Sequence, residues 1–313
     1  MSKKILIDCD PGIDDAVALC LALFDPRLEV VGITATAGNV DGHQATRNVM
    51  TILDRLDPPK WPRIGAAIIS DSVPAADSRH IHGEDGLGDA GLPGVELHNQ
   101  RSADKVISDV LHEYPGEVTI VALGPLTNVA RAMQKEKELA SMIDQIIMVG
   151  GAVDGIGNIT ATAEFNMYCD PESARVVFSS PTTKTLIPLD ITRRVAMTYD
   201  LVNSLPAQET RAGALLHQII PFLFRSTRRE LGQEGINLHD AVGVLYVLQP
   251  ELFKTVEMAG DVETNGLLTR GATVFDRRSR AAWRNNMEVA ISVDEAAISD
   301  CIVRGLRYAG QNT

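Results

Sequence analysis

Cysteine is scarce in this sequence, and its positions match none of the spacings on which cysteine-dependent structure relies. The four cysteines are widely spread, at Cys9, Cys20, Cys169 and Cys301, and no Cys-x-x-Cys pair occurs. This distribution predicts neither a zinc knuckle nor a disulfide framework. We therefore expect a reduced protein with a cytoplasmic location.

Long apolar runs are missing as well. No segment approaches about 18 uninterrupted apolar residues, which is the length that spans a membrane. The N-terminal sequence reaches Asp8 without an apolar stretch long enough for a signal peptide. We expect neither a membrane span nor a membrane partner.

Positive charge is in deficit, with 29 Lys and Arg against 41 Asp and Glu and a formal net charge of −12. A chain with this balance repels nucleic-acid phosphates and anionic lipid headgroups, so neither is an expected partner. Three motifs that mark particular enzyme classes are also absent. The sequence has no P-loop, no complete dinucleotide fingerprint and no Gly-x-Ser-x-Gly nucleophile elbow.

Short apolar runs alternate with helical patterns over the first two-thirds of the 313 residues. The runs predict strands at 4–8, 29–35, 63–66, 117–123, 145–149 and 185–189. Helices are predicted at 14–24, 43–56, 102–114, 127–142 and 171–178. This order is typical of an α/β fold with a doubly wound, mostly parallel sheet and helices on both faces. The strands are continuously apolar, as a sheet covered on both faces requires.

The last third of the sequence is richer in helix. Helical patterns continue from residue 198 to 246, strands are predicted near 255–262 and 288–293, and a final helix at 294–308. No linker or repeat divides the sequence, so we expect a single domain over 1–313. Its helix-rich portion, about 199–250, is expected to complete the active site. The long loop 68–101, rich in Gly, His and Asp, is expected to be functional or mobile.

Four aspartates crowd the end of the first predicted strand. Asp8 ends the strand, Asp10 lies in the turn after it, and Asp14 and Asp15 open the next helix, whose positive N-terminal end favours anions. Ligands of open α/β sheets bind beyond the carboxyl ends of the strands. Converging carboxylates repel one another unless a cation lies among them, and an all-oxygen donor set suits a hard cation. Helix capping explains one or two of these acids but not four, so we expect a metal or catalytic site.

Further polar groups, of side chains and of glycine-containing turns, follow other predicted strands and so lie at the same edge of the sheet. They are Asn39, the segment 123–128, Gly150, Gly151, Asn158, Glu164, Asn166 and Asp190. Each alone is typical of a cap or a turn, but their shared position favours a common site. His239 and Asp240 precede an apolar helix, where Asp240 alone is explained by N-capping. His82 lies in the long loop, where a histidine is usually solvated, although with His80 it can also belong to a pH-sensitive lid.

Together these residues make the sequence resemble the inosine-uridine preferring nucleoside hydrolase family. The family's opening motif, Asp-x-Asp-x-Gly-x-Asp-Asp-Ala-x-Ala, is matched at residues 8–18. The other matching segments follow in the family's order, at 36–39, 80–83, 124–128, 150–151, 163–166, 170–172 and 239–241. The resemblance extends from residue 4 to about 295 and is far more specific than any one of its motifs.

The resemblance implies a calcium-dependent hydrolase that cleaves the N-glycosidic bond of ribonucleosides to ribose and free base. By family likeness, the ligands of Ca²⁺ are Asp10, Asp15, Asp240 and the backbone carbonyl of Leu123. Asp10 would also take a proton from the metal-bound water. The residues implied to hold the ribose are Asp14, Asn39, Asn158, Glu164 and Asn166, while His82 and His239 would face the base. A homodimer or homotetramer and a role in nucleoside salvage are implied as well.

The chemistry of the residues agrees with this reaction independently. Hydrolysis of a glycosidic bond builds positive charge on the sugar, which carboxylates stabilise. A bound cation makes the attacking water more acidic. The leaving base departs with negative charge and is helped by a proton donor. His239 is the candidate acid, because histidine has a suitable pKa and this one adjoins Asp240.

Two positions depart from the family pattern. Val149 stands before the double glycine, where many members carry a ribose-facing methionine. The stretch 225–231 has no tyrosine, although tyrosines contact the base in pyrimidine-preferring members. It contains Arg225, Arg228 and Arg229 instead. The sequence therefore leaves open the preferred base and the contribution of these arginines to substrate choice.

Two other functions are compatible with parts of the sequence. A haloacid-dehalogenase-like phosphatase also begins with a strand and Asp-x-Asp and binds a hard cation. However, Gly12 stands where that class usually has Thr or Val, and its later Lys and acidic pair cannot be located here. A non-catalytic nucleoside-binding protein is disfavoured because the candidate base and every candidate metal ligand are present. Release of reducing sugar from inosine and uridine would separate the three functions.

Overall fold

The computed structural model describes residues 2–68, 77–96 and 100–313 of the chain. Its strands are β1 (Lys3–Cys9), β2 (Leu28–Ala35), β3 (Arg63–Ala66), β4 (Arg101–Ser102), β5 (Val118–Ala122), β6 (Ile143–Val149), β7 (Lys184–Ile187), β8 (Ala196–Met197), β9 (Ile236–Asn237), β10 (Phe253–Met258), β11 (Gly260–Val262), β12 (Thr273–Phe275) and β13 (Met287–Val293). Its helices are α1 (Ile13–Phe24), α2 (Gly42–Leu56), α3 (Arg79–His82), α4 (Ala103–Glu113), α5 (Thr127–Lys135), α6 (Leu139–Met142), α7 (Phe165–Cys169), α8 (Pro171–Ser179), α9 (Leu189–Thr192), α10 (Asp200–Ser204), α11 (Arg211–Leu231), α12 (His239–Leu248) and α13 (Glu295–Gln311).

Within this described part, nine strands form one sheet in the order β10-β13-β7-β6-β5-β1-β2-β3-β4. Neighbouring strands are parallel except at one edge, where β10 pairs with β13 in the antiparallel direction. Two short antiparallel pairs, β11 with β12 and β8 with β9, lie outside this sheet. The predicted doubly wound, mostly parallel α/β sheet is confirmed.

Both faces of the sheet are buried, because successive side chains of a strand point to opposite faces. In β1, Ile5 and Ile7 join a core formed with α1, α2, α11, α12 and α13, whereas Leu6 joins a second core formed with α4, α5 and α8. In β5, Val121 and Ile120 are divided between the same two cores. The continuously apolar sequence of the strands is therefore explained by helices on both sides.

The single helix predicted at 127–142 is wrong, because the chain forms two helices, α5 and α6. Glu136 leaves the helical conformation directly after α5. Its carboxylate accepts a hydrogen bond from Ser108 Oγ at 2.7 Å and lies 2.9 Å from His112 Nε2. Contacts with α4 therefore hold this residue out of the helix, and a local helical pattern does not reveal them.

The strand predicted at 185–189 ends earlier, at Ile187, because Pro188 has no N–H to donate to a neighbouring strand. Asp190 consequently lies in the one-turn helix α9 rather than at the end of a strand. Its carboxylate accepts hydrogen bonds from the backbone N–H groups of Val153 at 2.7 Å and Asp154 at 3.1 Å. Asp190 therefore fixes the loop after β6, and it does not line the cavity described below.

The strand predicted at 255–262 is also divided, into β10 and β11, which belong to different sheets. Asn286 occupies the point of division. Its Oδ1 accepts from the N–H of Gly260 at 2.9 Å, and its Nδ2 donates to the carbonyl of Gly260 at 2.9 Å. One side chain thus satisfies both backbone groups of the residue at which the chain leaves the large sheet.

The portion after residue 198 is rich in helix, as expected, and contains α10, α11 and α12. Across the ranges described above, no helix combines the length and the apolar character that crossing a bilayer requires. The loop predicted at 68–101 contains the one-turn helix α3. Positions 69–76 and 97–99 of that predicted loop lie outside the described residues.

Candidate active site

A cavity of about 210 Å³ opens where the chain order of the sheet reverses. The chain leaves the central strand β1 towards β2, β3 and β4, and later returns to β5 on the other side of β1. Such switch points are the usual ligand sites of doubly wound sheets. Asp10 follows β1 directly and Leu123 follows β5 directly, and both residues line the cavity.

The carboxylate of Asp10 lies between two glycines. A Cβ atom on Gly38 would be 2.0 Å from Asp10 Oδ2, and a Cβ atom on Gly124 would be 2.4 Å from Asp10 Oδ1. The backbone N–H of Asn39 donates to Oδ2 at 2.8 Å. Asp10 is only 2% exposed. Any larger residue at either glycine would displace this carboxylate, so the two glycines fix its orientation.

The N-terminus of α1 brings Asp14 and Asp15 to the same edge of the sheet. Gly12 precedes the helix, and its N–H donates to Asp15 Oδ2 at 2.8 Å. A Cβ atom on Gly12 would be 2.8 Å from both Asn39 Nδ2 and His82 Nδ1, so glycine admits these two side chains. Asp15 therefore caps the helix with Oδ2, and its Oδ1 is left to bind a ligand.

Asp240, in the first turn of α12, completes an acidic cluster with Asp14 and Asp15. One carboxylate oxygen from each of the three residues lies within 4.8 Å of the other two, and all three are buried. Asp14 Oδ1 and Asp15 Oδ1 have no hydrogen-bond partner among the residues of the three described ranges. Buried carboxylate oxygens without partners are costly unless a cation neutralises them. This donor set therefore fits a hard divalent cation.

Burial and mutual repulsion disfavour the ionised forms of these acids. Burial, followed by the charge of Asp14, raises the pKa of Asp15 to about 8. The pKa of Asp10 is raised well above its usual range by burial and by the charge of Asp15. The pKa of Asp240 is raised in the same way by burial and by the charge of Asp14. Asp10 therefore interacts electrostatically with the cluster of Asp14, Asp15 and Asp240, although it is not one of the three residues whose oxygens lie within 4.8 Å of one another. A bound cation would oppose all of these pKa shifts.

Asp8, the first acid of the motif, does not join the cluster. It lies within β1 and is fully buried. Its Oδ1 accepts hydrogen bonds from Thr34 Oγ1 at 2.5 Å and from Asn128 Nδ2 at 2.8 Å. Burial raises the pKa of Asp8 to about 7. The expectation that four neighbouring aspartates converge is therefore wrong for Asp8, because partners on β2 and α5 hold its side chain within the sheet.

Glu164 and Asn166 bind the backbone around the ends of two strands. Glu164 Oε1 accepts from the N–H of Asn166 at 3.0 Å, and Oε2 accepts from the N–H of Gly151 at 2.8 Å. Burial raises the pKa of Glu164. Asn166 Nδ2 donates to the carbonyls of Leu123 at 2.7 Å and Val149 at 3.0 Å. Asn166 therefore joins the carboxyl ends of β5 and β6 and holds the carbonyl that is predicted to bind metal.

The other predicted ribose-binding residues also line the cavity. Asn39 Nδ2 donates to the backbone carbonyl of Asp10 at 3.0 Å, and its Oδ1 accepts from the hydroxyl of Ser78. Asn158 is exposed, and its Oδ1 accepts from the N–H of Phe165 at 2.8 Å. Val149 lies at the end of β6 and is 5% exposed. Every residue predicted to hold the ribose is thus at the cavity.

Both predicted histidines are at the cavity and are engaged through Nδ1. His82 Nδ1 accepts from the N–H of Ile13 at 3.1 Å and lies 3.8 Å from Asp14 Oδ1. His239 Nδ1 lies 2.7 Å from Thr192 Oγ1. Burial lowers the pKa of both imidazoles. His82 is therefore a buried residue of α3, not the solvated loop histidine that the sequence also allowed.

The cavity has further lining residues that the sequence did not predict. They include Ser78, Ile81, Thr192, Leu223, Thr227, Leu231, Gln233 and Asn237. The spacing of Leu223, Thr227 and Leu231, four residues apart on α11, is the one local signal that marks a shared helix face. The other residues enter through contacts between distant segments, which no local pattern predicts.

The three arginines near this helix face lie outside the cavity. Arg225, Arg228 and Arg229 are exposed and do not line it. Arg228 lies 3.5 Å from Glu234, and Arg229 lies 2.5 Å from Glu230. Two of the three charges are therefore paired with acids at the surface.

Comparison with known proteins agrees with this geometry. Residues 5–300 match the model of the family described as inosine-uridine preferring nucleoside hydrolase. The chain is 36% identical to a pyrimidine-specific ribonucleoside hydrolase, RihA, of Salmonella agona over 98% of this chain and 99% of the relative. The identity to RihA of Klebsiella pneumoniae is also 36%, with the same coverage.

Solved structures lead to the same family. A purine-preferring ribonucleoside hydrolase from Gardnerella vaginalis superimposes with a TM-score of 0.91 at 29% identity, over 99% of this chain and 100% of that one. The plant nucleoside hydrolase PpNRh1 superimposes with a TM-score of 0.89 at 30% identity, over 98% and 99% of the two chains. The phosphatase alternative does not agree with these matches. The chain belongs to the inosine-uridine preferring nucleoside hydrolase family, and its reaction is the hydrolysis of ribonucleosides.

Proposed function

We propose that this chain cleaves the N-glycosidic bond with Asp10 as the base, His239 as the acid and Ca²⁺ as the cofactor. The observation that carries the proposal is the pair of buried, unpartnered carboxylate oxygens on Asp14 and Asp15, next to Asp240 at the carboxyl edge of the sheet. Such charge is costly unless a proton or a cation neutralises it, and an all-oxygen donor set favours a hard cation.

Asp10, Asp15, Asp240 and the backbone carbonyl of Leu123 would hold Ca²⁺, as the resemblance implies. When bound, the cation would lower the pKa of the attacking water. Asp10 accepts the proton of that water. Because the N–H of Asn39 occupies Oδ2 of Asp10, Oδ1 is the oxygen proposed to take the proton.

The ribose would be held by the hydroxyl-binding groups of Asp14, Asn39, Asn158, Glu164 and Asn166, with His82 and Val149 completing the wall of the cavity. The sugar gains positive charge as the glycosidic bond breaks. The carboxylates of Asp14 and Glu164 stabilise that charge because both are buried near it, where water screens their field weakly.

His239 serves the leaving base. The base departs with the electron pair of the glycosidic bond and gains from a donor beside its nitrogen. Nδ1 of His239 is engaged by Thr192, so Nε2 is the atom proposed to serve the base. The relatives are named for pyrimidines in one case and for purines in another. The proposal therefore covers ribonucleosides as a class.

The proposal is tested by assaying reducing sugar from inosine and uridine with wild type, Asp10→Asn and Asp54→Asn. Asp10→Asn removes the base and a ligand charge, so turnover should nearly vanish. Asp54 is exposed on α2, outside the cavity, and Asp54→Asn should retain full activity. Prolonged chelation should abolish wild-type activity, and added Ca²⁺ should restore it. Full activity of Asp10→Asn or of the chelated enzyme would overturn the assignment, and nucleoside binding without turnover would indicate a binding protein.

We further propose a homodimer or homotetramer, the closed assemblies that are common among soluble enzymes, and a role in nucleoside salvage in the cytoplasm. The oligomeric proposal is tested by light scattering coupled to size-exclusion chromatography. A mass near 33.8 kDa, that of one chain, would contradict it.

A further inference from the structure

Thr192 is a buried polar residue at the cavity to which the reaction described above gives no part. It ends α9, directly after β7 and Pro188, and is 1% exposed. Its Oγ1 lies 2.7 Å from Nδ1 of His239. Over residues 2–68, 77–96 and 100–313, no other hydrogen bond of this hydroxyl is present. The contact therefore links the segment after a sheet strand to the first residue of α12.

The direction of this hydrogen bond follows from what each group must satisfy. A hydroxyl has one proton to donate, and buried donors nearly always find an acceptor. If Nδ1 of a neutral imidazole donated to Oγ1, the hydroxyl proton of Thr192 would have no acceptor in the described part of the chain. If Thr192 donates to Nδ1 instead, its proton is satisfied and the imidazole proton lies on Nε2.

A hydroxyl suits this place better than a carbonyl would. A backbone carbonyl could only accept, and it would place the proton of a neutral ring on Nδ1. Thr192 can donate to Nδ1, so it holds the ring proton on Nε2.

The segment that contains Thr192 is itself fixed. Asn237, two residues before His239, has its Nδ2 within hydrogen-bond distance of three carbonyls, those of Thr192 at 3.3 Å, Arg193 at 3.0 Å and Val195 at 3.1 Å, which share its two protons. One short stretch of chain, 237–239, thus binds the backbone of the Thr192 segment and carries the imidazole that its hydroxyl contacts. The backbone contacts between the two segments therefore hold Thr192 and His239 at a fixed separation.

We propose that Thr192 is a positioning residue that orients the imidazole of His239, with Nδ1 engaged and Nε2 presented to the leaving base. The inference rests on the proposed role of His239 as the acid. As the C–N bond breaks, its electron pair passes to the base nitrogen, and Nε2–H of His239 donates a hydrogen bond to that nitrogen. The ring stays neutral with Thr192 as the donor to Nδ1, and the departing base takes its proton from water.

The first test compares Thr192→Val, which removes the hydroxyl at nearly constant volume, with Thr192→Ser, which retains it. Thr192→Val should lower kcat on uridine and inosine at least about tenfold, up to the 10²–10⁴-fold of general acid catalysis. It should change the rate on p-nitrophenyl riboside less than about twofold, because that leaving group needs no proton. Thr192→Ser should keep most of the nucleoside rate. An equal loss on both substrates would show a structural role and overturn the proposal.

Thr182→Val is the matched control. Thr182 is also a buried threonine, and its Oγ1 donates to the carbonyl of Ala140 at 2.9 Å. It lies near the amino end of β7, whereas the cavity lies at the carboxyl ends of the strands. Thr182→Val should lower the stability of the protein, but it should change kcat equally on nucleosides and on p-nitrophenyl riboside. In a His239→Ala background, Thr192→Val should cause no further loss of kcat on nucleosides. A further loss would show that Thr192 acts through another group.

A measurement without turnover separates this inference from the proposed reaction. ¹⁵N NMR of histidine-labelled protein, at a pH where the ring is neutral, should show a protonated Nε2 and an unprotonated Nδ1 for His239. Thr192→Val should convert this signal to a mixture of tautomers. A wild-type ring protonated on Nδ1 would overturn the inference even in an active enzyme. Unchanged nucleoside turnover in His239→Ala would instead refute the acid role, whatever the tautomer.

Discussion

At the scale of single residues, Asp8 occupies a place unlike that of the aspartates two and six positions later. It is fully buried between Thr34 and Asn128, and its pKa is raised to about 7. In the unfolded chain the same group titrates near its ordinary value of about 3.9. Between these values the folded state holds a proton that the unfolded state has lost. The free energy of unfolding therefore falls as the pH rises through this interval.

Asp8→Asn should remove this part of the pH dependence, because an amide does not titrate. Urea unfolding at pH 4 to 8, with a chelator present, should give a steeper loss of stability for wild type than for Asp8→Asn. The slope of Asp54→Asn, with an exposed carboxylate, should equal that of wild type. Identical slopes for Asp8→Asn and wild type would mean that Asp8 is ionised in the fold.

The sequence located part of the site at this scale. Asp10, Asp15 and Asp240 could be placed from strand ends and family motifs, because position along the chain decides which edge of the sheet they reach. Asp8 and Thr192 could not be assigned in this way. Their surroundings are set by Asn128 and His239, which lie far along the chain, and by hydrogen-bond directions that a motif does not encode.

At the scale of elements, Asn166 holds the ends of β5 and β6 together through the carbonyls of Leu123 and Val149. Asn166→Ala would leave two buried carbonyls without this partner, at a cost of about 1–3 kcal/mol each. It should lower the Tm and also weaken Ca²⁺ binding, because the Leu123 carbonyl loses its support. Thermal melts and isothermal titration with Ca²⁺ measure the two effects.

Asn286→Ala is the control for this prediction. The amide of Asn286 similarly bridges two carbonyls, those of Phe178 and Gly260, at 3.0 and 2.9 Å, and Asn286 does not line the active-site cavity. It should lower the Tm while leaving Ca²⁺ affinity and kcat unchanged. Equal Ca²⁺ affinities for Asn166→Ala and Asn286→Ala would remove Asn166 from the support of the cation site.

Elements with continuous apolar runs were predicted within about two residues of their observed ends. The strand at 63–66, for example, has its predicted bounds. Predictions were wrong where a distant side chain or a proline decides the outcome, as at Glu136, Pro188 and Asn286. Amphipathic periodicity predicts which residues face the core, but it carries no information about the distant residue whose contact ends a helix or strand.

At the scale of the whole molecule, a cation bound only by the folded state should stabilise the entire chain. At a concentration of about 100 times Kd the gain is about 2.7 kcal/mol, which is several degrees in Tm for a protein of this size. Asp240→Asn should abolish the shift. The control is Glu138→Gln, which alters a second group of possible metal ligands, His112, Glu136 and Glu138, away from the cavity. This variant should show the same Ca²⁺-dependent shift in Tm as wild type. An unchanged wild-type Tm on addition of Ca²⁺ to stripped protein would contradict the metal site.

The net charge of −12 should select against phosphorylated substrates. A 5′-phosphate would enter a cavity rich in carboxylates, and Arg225, Arg228 and Arg229 are exposed outside it. Like charges lower both association and affinity. The kcat/KM for uridine 5′-monophosphate should therefore lie well below that for uridine, with the difference reduced at high salt. Equal kcat/KM values for the two substrates would contradict this prediction. If Arg225→Ala then lowered the value for the monophosphate alone, Arg225 would be identified as a phosphate-binding residue.

The neighbours of β1 in the sheet have a consequence for the order in which the protein is made. Lys4 pairs with Val118 across β1 and β5, and α1 packs against α12. The ribosome therefore releases the acidic opening motif long before its partners exist. Contacts this distant along the chain also slow folding. The first fifteen residues should thus acquire native protection from hydrogen exchange only after the segment around Asp240 has been synthesised, and a chain truncated before α12 should leave them exposed to proteases.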